Sequence, residues 1–418
     1  MVLDSQKKEK KISIIMFGFN DWHQWEEQSF RTRNAIIAKK LAEHPKVKKL
    51  LVISTAKSFW INLYLSLKNK SFKNGMKKLA PFSLSKVSEK VYLLDHTRLC
   101  PREEAYEVYN IANGLIHDAH LTKSVQKIAQ KLKMDNLLLW VSNPLMTKYI
   151  GRLNEKLSVF DAIDDWSVHP NKKWIRRSIR RGYKTAVKKA DVIFTVSLDL
   201  AKRLGATRGD IFWVPNGVNT DIFHPNNYQI PSEMAPLSKP IIGYVGVLQE
   251  RVDTSILEAL ARRIPNGSLI LIGPLAAPNH FEHLKLYPNI YFLGEKPYEQ
   301  IPRYLQFCDV CVLPHLNNEF TRSMNPLKLY EYLAMGKAVV ATEIPGLEEF
   351  SGLIKKTSNI NRFVQLVTES ASTKENGSAA RYQKFLQNRD WNTKVDQMLE
   401  IIDESLTLHS EPKNVRKN

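Results

Sequence analysis

Twelve short apolar runs, each followed by a longer polar stretch with helix-like spacing, constrain this chain more than any other feature. In the first half they are Ile12–Phe17, Leu50–Ile53, Val91–Leu94, Leu137–Val141, Leu157–Phe160, Val192–Val196 and Ile211–Val214. The second half has Ile241–Val245, Leu269–Ile272, Ile290–Leu293, Val310–Leu313 and Ala338–Ala341. Strands of this length alternating with helices form parallel, doubly wound sheets covered on both faces. A chain of 418 residues is too long for one ordinary core, and 43% apolar residues suffice for two. The expected fold is therefore α/β, with two Rossmann-like domains. The first spans residues 1–228 and the second 241–388, joined by a linker over 229–240 in which prolines 231, 236 and 240 interrupt any period. A further helix is expected over 389–408, and a disordered polar tail over 409–418. Two such domains would face each other across a cleft, with ligands at the carboxyl ends of the strands.

The loop and helix after Val310–Leu313 carry the clearest chemistry. Asn325–Thr342 reads NPLKLYEYLAMGKAVVAT: a loop, a helix and a short strand. Lys328 and Glu331 are three residues apart and share one helix face near its start. Unpaired N–H groups at a helix start attract phosphate, and a lysine beside them adds to the pull. A carboxylate one turn further on can accept hydrogen bonds from sugar hydroxyls. Phosphate at the helix start and ribose one turn in describe a nucleotide sugar.

This segment resembles the donor-site signature of GT-B glycosyltransferases, specifically the retaining family 4, the glycosyl transferases group 1. The resemblance is strongest over about residues 190–350, and the NP-x-K-x-YEYLA form is similar to a branch serving exopolysaccharide and teichuronic-acid-type assembly. It implies that Asn325, Leu327 and Lys328 meet the donor diphosphate and that Glu331 holds its ribose. The family's earlier glutamate falls at Ser323 here, and its glycine turn is replaced by Met324-Asn325-Pro326, so that role is left unassigned. His315 and Glu319, in the loop before the helix, are candidates for contacts to the donor sugar. Asn216-Gly217-Val218 resembles a turn of the same family. The last helix of these enzymes crosses back onto the first domain, and residues 389–408 are apolar enough to do so; the alternative is an ordinary final helix of the second domain.

Three other constellations border the strand ends. In GYVGVLQERVD, residues 243–253, Gly246 follows a strand and Arg251 is the loop's only cation. The resemblance gives Arg251 the donor diphosphate, and a guanidinium can bond two phosphate oxygens at once. The bland alternative is a surface pair with Glu250 or Asp253. Neither this loop nor the one at Gly18 has the GxGxxG spacing of a nicotinamide or flavin site. In FDAIDDW, Asp165 and then Asp164 are candidates for the base that takes the acceptor proton, with Asp161 more suited to capping the loop. A plain Asx turn or helix cap competes with that reading. Asp21, Trp22 and Arg31 lie after the first strand, on the expected acceptor side, where aromatic faces stack on sugars; Trp22 and Trp25 could equally be buried anchors. No metal site is expected, since His117/His120 and His280/His283 are bare pairs without a carboxylate partner.

The formal net charge of +19 is unevenly spread. Lys172–Lys189 holds nine Lys/Arg and no acid, with Ile175, Ile179 and Tyr183 recurring every four residues. Ala56–Ser88 is also acid-free, with seven lysines beside Phe59, Trp60 and Tyr64. Such segments suit an anionic membrane surface, or else the stripe packs on its own domain. No nucleic-acid motif accompanies the charge. Three cysteines fit a reducing cytoplasm rather than a disulfide framework, and no run reaches the roughly 20 apolar residues of a membrane span. The expected protein is a cytoplasmic, membrane-peripheral hexosyltransferase, retaining by family habit. It would move sugar from a nucleotide-diphosphate donor, UDP by the same habit, to a hydroxyl of a lipid-linked glycan in cell-surface polysaccharide synthesis. The nucleotide sugar is then co-substrate and no cofactor is expected. Two alternatives remain: a non-catalytic sugar-nucleotide-binding or scaffold subunit, and a GT-B-like nucleotide-sugar 2-epimerase.

Overall fold

The computed structural model describes residues 11–54, 57–58, 82–98, 119–205, 210–373 and 378–410. The chain divides into two compact units. Unit 1 comprises residues 1–195, 200–214 and 395–418, and unit 2 comprises residues 196–199 and 215–394.

Unit 1 is built on a nine-stranded sheet in the order β3-β5-β2-β1-β6-β7-β8-β9, with β4 paired to β5. Its strands are β1 Ile12–Phe17, β2 Val47–Ile53, β3 Lys57–Ser58, β4 Phe82–Lys86, β5 Val91–Arg98, β6 Leu137–Val141, β7 Leu157–Ala162, β8 Val192–Thr195 and β9 Ile211–Trp213. All pairings are parallel except β4 with β5. Every residue of β1, β6, β7 and β8 is buried, because helices cover both faces of a parallel sheet. Helices α1 Trp22–Glu27, α2 Arg33–Glu43, α3 Ala119–Lys131 and α4 Arg176–Lys189 follow in chain order.

Unit 2 has a six-stranded, wholly parallel sheet in the order β12-β11-β10-β13-β14-β15. The strands are β10 Ile241–Val245, β11 Ser268–Ile272, β12 Ile290–Gly294, β13 Val310–Leu313, β14 Ala338–Thr342 and β15 Lys355–Thr357. Its helices include α5 Thr254–Arg263, α6 Glu319–Arg322 and α7 Leu327–Ala334. Both sheets are doubly wound, as the alternation of apolar runs predicts, and each of the twelve runs marks a strand, Val196 and Val214 lying one residue past β8 and β9. The proline-rich stretch is not a connector between the units. It lies inside unit 2, where Met234 is buried in the core and Leu237 packs against it partly buried.

The last long helix, α8 Trp391–Ser410, contributes to both units: residues up to Lys394 cluster with unit 2 and those from Val395 with unit 1. Within unit 1, Asp396 pairs with His44 at 3.0 Å and Asp403 with Lys46 at 2.9 Å. Among the described residues no helix is long and apolar enough to cross a membrane.

Candidate active site

β10 is the switch strand of unit 2. From it the chain runs to β11 and β12 on one side, then returns to β13 on the other. The carboxyl ends of β10 and β13 therefore diverge into separate loops, the crevice where open α/β sheets take ligands. These loops are joined: Asp253 N–H donates to the Pro314 carbonyl at 2.7 Å, and Leu316 N–H to the Arg251 carbonyl at 2.8 Å. Glycine is needed beside them. A Cβ on Gly246 would lie 2.8 Å from the Tyr244 hydroxyl, and one on Gly273 (φ 143°) only 2.0 Å from the Gly246 carbonyl oxygen.

Arg251, His315 and Tyr244 meet in this crevice. His315 is 3% exposed, and its Nε2 lies 3.4 Å from the Tyr244 hydroxyl. Burial, helped by the Arg251 charge, holds the imidazole well below its usual 6.5, so it is neutral. Burial likewise pushes the Tyr244 phenol up, against the opposing pull of Arg251. Arg251 Nε and His315 Nδ1 are buried without a hydrogen-bond partner among the described residues. Buried polar atoms are ordinarily paired, so two unpaired ones in one crevice mark a place prepared for a polar ligand. The surface-pair reading of Arg251 fails: Asp253 instead caps α5, accepting from Ser255 N–H at 3.0 Å, and no ion pair joins Arg251 to Glu250 or Asp253.

Helix α7 starts at the carboxyl end of β13 with Pro326 in the cap position, which offers no side-chain acceptor. Its neighbours differ: Asp253 caps α5 and Asn318 caps α6. Leu329 N–H turns back to the Pro326 carbonyl at 3.2 Å, which leaves the N–H groups of Leu327 and Lys328 to face an anion. Lys328 Nζ lies 3.0 Å from Glu331 Oε2, so the spacing that the sequence suggested does bring the two together. Tyr298 completes the group. Its hydroxyl donates to Glu331 Oε1 at 3.1 Å, and its ring lies 5.8 Å from Lys328 Nζ. Glu331 is 1% exposed and oriented from both sides, with lone pairs left on each oxygen. Leu327 offers its backbone at the helix start, whereas the Asn325 side chain is committed within the protein. It accepts from Asn216 N–H at 2.8 Å and the Tyr330 hydroxyl at 2.9 Å, and donates to Glu349 at 3.0 Å. Glu319 is exposed at the first position of α6.

Ser323, where sequence counting puts the family's earlier glutamate, is fully buried. Its hydroxyl donates to the Phe320 carbonyl at 2.9 Å and its carbonyl accepts from Ser197 at 2.8 Å, so it closes α6.

In unit 1 several expected roles change. Asp161 does not cap the loop; it lies in β7, where Arg33 Nε and Nη2 grip its carboxylate at 3.0 to 3.2 Å, both side chains buried. The cap is Asp165, which accepts from the Ser167 N–H and hydroxyl at 3.0 and 2.6 Å and pairs with Arg203 at 3.2 Å. With both oxygens so engaged, Asp165 is poorly suited to act as a base. Asp164 is half-exposed, its carbonyl held by the Tyr183 hydroxyl at 2.6 Å. Asp21 is 3% exposed and caps α1. Trp22 is 6% exposed, bonded to Glu26 at 2.7 Å and packed on Phe30 at 5.1 Å, so it is an anchor rather than an open sugar platform. Arg31 is partly exposed just before α2.

Ile175, Ile179 and Tyr183 are 3–7% exposed, which makes them core of unit 1 and unavailable to a bilayer; Trp174, at 47%, is the exposed aromatic beside them. Of the second basic segment, residues 56 and 59–81 fall outside the described residues, as does His117. Among the described residues no cluster of three or more His, Cys, Asp or Glu could hold a metal. Tyr298, Tyr244 and the Arg33–Asp161 pair were not singled out from sequence, for each works through a partner far along the chain.

Residues 239–371 match the family Glycosyl transferases group 1. A Bacillus subtilis (strain 168) protein named for a glycosyltransferase role in teichuronic acid biosynthesis, TuaH, is 26% identical over 202 residues, 45% of this chain. The chain thus spans about half the length of the curated relative it matches. Among solved structures, sucrose-phosphate synthase from Thermosynechococcus elongatus aligns with a TM-score of 0.67 at 15% identity, over 95% of this chain and all of that one. The Anabaena protein HepE in complex with UDP-glucose gives 0.60 at 15%, over 94% and 100%. A trehalose-6-phosphate protein from E. coli bound with UDP-2-fluoro glucose gives 0.65 at 11%, over 94% and 99%. Its two doubly wound sheets and the alignment with these structures give this chain the GT-B fold, and the part of it that matches the glycosyl transferases group 1, residues 239–371, is the part that carries the switch-strand site.

Proposed function

We propose that this chain transfers a hexosyl group from a nucleoside-diphosphate sugar to a hydroxyl of a lipid-linked glycan during cell-surface polysaccharide synthesis. The observation that carries the proposal is the crevice at β10 and β13: an uncapped helix start, Lys328 beside Glu331, and unpaired Arg251 Nε and His315 Nδ1. In the reaction the bond from the anomeric carbon to the diphosphate oxygen breaks, and negative charge grows on the leaving group. Arg251, Lys328 and the α7 N–H groups would neutralise that charge. Glu331, oriented by Tyr298 and Lys328, would accept from the ribose hydroxyls. Retention of configuration is proposed from the match of residues 239–371 to the glycosyl transferases group 1. UDP is the proposed carrier because two of the similar structures are complexes with UDP-sugars, and TuaH supports a cell-wall glycan as acceptor. The acid-free α4, with Trp174 exposed before it, favours peripheral work at the cytoplasmic face of a membrane.

The testing experiment is calorimetric titration with UDP, GDP, ADP and TDP, repeated on Lys328→Ala. The expected result is selective binding of one diphosphate, about tenfold to a hundredfold weaker in the variant, since charge-assisted bonds contribute about 1.5–3 kcal/mol. Binding of none, or full affinity in the folded variant, would sink the assignment.

A further inference from the structure

Helix α4 has three faces. Ile179, Tyr183 and Ala186 point into the core of unit 1, and Arg177, Arg180, Lys184 and Lys188 are exposed. The third stripe, Ser178, Arg181, Gly182, Thr185 and Lys189, lines a cavity of about 180 Å³ against the 3-10 turn Pro144–Tyr149 and Arg152. Gly182 makes the close approach possible, because a Cβ there would lie 2.1 Å from the Pro144 carbonyl oxygen. Thr147 staples the two elements, its hydroxyl 2.8 Å from the Pro144 carbonyl and 3.1 Å from the Gly182 carbonyl.

Lys148, Arg152, Arg181 and Lys189 all line this cavity, and no acid does. The side chains of Arg152, Arg181 and Lys189 form no ion pair among the described residues. Glu155, the acid nearest in sequence, has both oxygens on the N–H groups of Gly151 and Leu153. These three cations around one small cavity exceed what a single carboxylate can balance and match a phosphoryl group, whose oxygens a guanidinium can take in pairs. The cavity runs along α4 from Pro144, just after β6, to Arg152 and Lys189, which precede β7 and β8.

We propose that the cavity between α4 and the Pro144–Tyr149 turn is a binding pocket for the phosphoryl group of a membrane lipid, distinct from the diffuse charge of the outer stripe. It rests on the membrane-peripheral part of the proposed function and sharpens it, from a charged helix to a discrete headgroup site. The exposed Trp174, in the turn just before this helix, adds an interfacial aromatic.

The test uses the full chain and two exposed pairs of equal charge: Arg152→Ala with Arg181→Ala in the pocket, and Arg177→Ala with Arg180→Ala on the outer stripe. Partition onto phosphatidylglycerol-containing and pure phosphatidylcholine vesicles is measured at low and high salt. Diffuse attraction weakens equally in both pairs and is screened by salt. The expected result is that the pocket pair loses at least about tenfold more than the outer pair, with the excess persisting in high salt. Equal losses overturn the pocket while keeping the membrane reading. Wild-type protein that ignores anionic vesicles overturns the lipid source. Glycerol 3-phosphate and inorganic phosphate are titrated in parallel, and binding of these without vesicle binding would identify a soluble phosphoanion as the ligand instead. Preference for an oligogalacturonate carrying only carboxylates would overturn the phosphoryl chemistry itself.

Discussion

Both units collect charged side chains at the carboxyl ends of their strands, and they use them in opposite ways. In unit 1 the acids are matched: Arg33 grips Asp161, while Ser167 and Arg203 occupy both oxygens of Asp165. In unit 2 the matching is incomplete. Glu331 is held by Lys328 and Tyr298, but Arg251 Nε and His315 Nδ1 are buried with no hydrogen-bond partner among the described residues. A saturated cluster stabilises the fold and has little left to offer a ligand. An unsaturated one costs stability in the free protein, and a ligand relieves that cost. Residue type alone does not distinguish them; the count of partners does.

The sharpest way to break the contrast is at Arg33. Arg33→Met leaves the Asp161 carboxylate buried at 0% exposure without its cation, which costs about 3–5 kcal/mol. Replacing both, Arg33→Met with Asp161→Leu, should restore most of the loss, because two apolar side chains remove the stranded charge. Denaturant melts of the two variants measure this, with nucleotide affinity of the folded fraction unchanged. A double variant as unstable as the single one, or a folded single variant that no longer binds diphosphate, would mean that the pair serves the site and not the scaffold.

Asp165 gives the next effect. Asp165→Ala removes a cap and an ion pair with Arg203, at about 2 kcal/mol, and should leave the proposed glycosyl transfer by the folded protein within about threefold. A loss of about a hundredfold in kcat at unchanged stability would restore it as a catalytic base. Asp164→Asn, run alongside, should cost little stability because that side chain is half-exposed. The half-exposed residue is the better candidate to act on an acceptor.

The two units also differ in how readily their sequence betrayed them. Parallel strands covered on both faces are continuous apolar runs, so both sheets were legible. The missed strands are polar: FSLSK of β4 is largely exposed, and KKT of β15 is only half-buried. Lys328 and Glu331 could be read as a pair because one helical turn joins them, while Tyr298 reaches Glu331 from 33 residues away and Arg33 reaches Asp161 across 128. FDAIDDW could be read as base or as cap, since both uses need a short carboxylate at a strand end. Which aspartate took the cap was decided by Arg203, and no local spacing encodes that. The stripe Ile175, Ile179, Tyr183 was equally ambiguous, because a core and a bilayer select the same side chains.

His315 offers the smallest effect and the one most specific to unit 2. Folding holds its imidazole well below the ordinary 6.5 through burial and the Arg251 charge. Below pH 6.5 the unfolded chain therefore binds a proton that the folded chain refuses. Stability present above pH 6.5 is lost as the pH falls towards the folded value, with a slope of at most about 1.4 kcal/mol per pH unit from this group. His315→Gln should remove that slope, read as the difference in unfolding free energy between pH 7.5 and pH 5.5. A bound diphosphate beside the ring favours its charged form, so saturating nucleotide should raise the folded pKa and shrink the slope of the wild type while leaving the variant's unchanged. If nucleotide shifts the slope of both proteins alike, the anion lies away from His315 and the unpaired atoms of this crevice do not receive it.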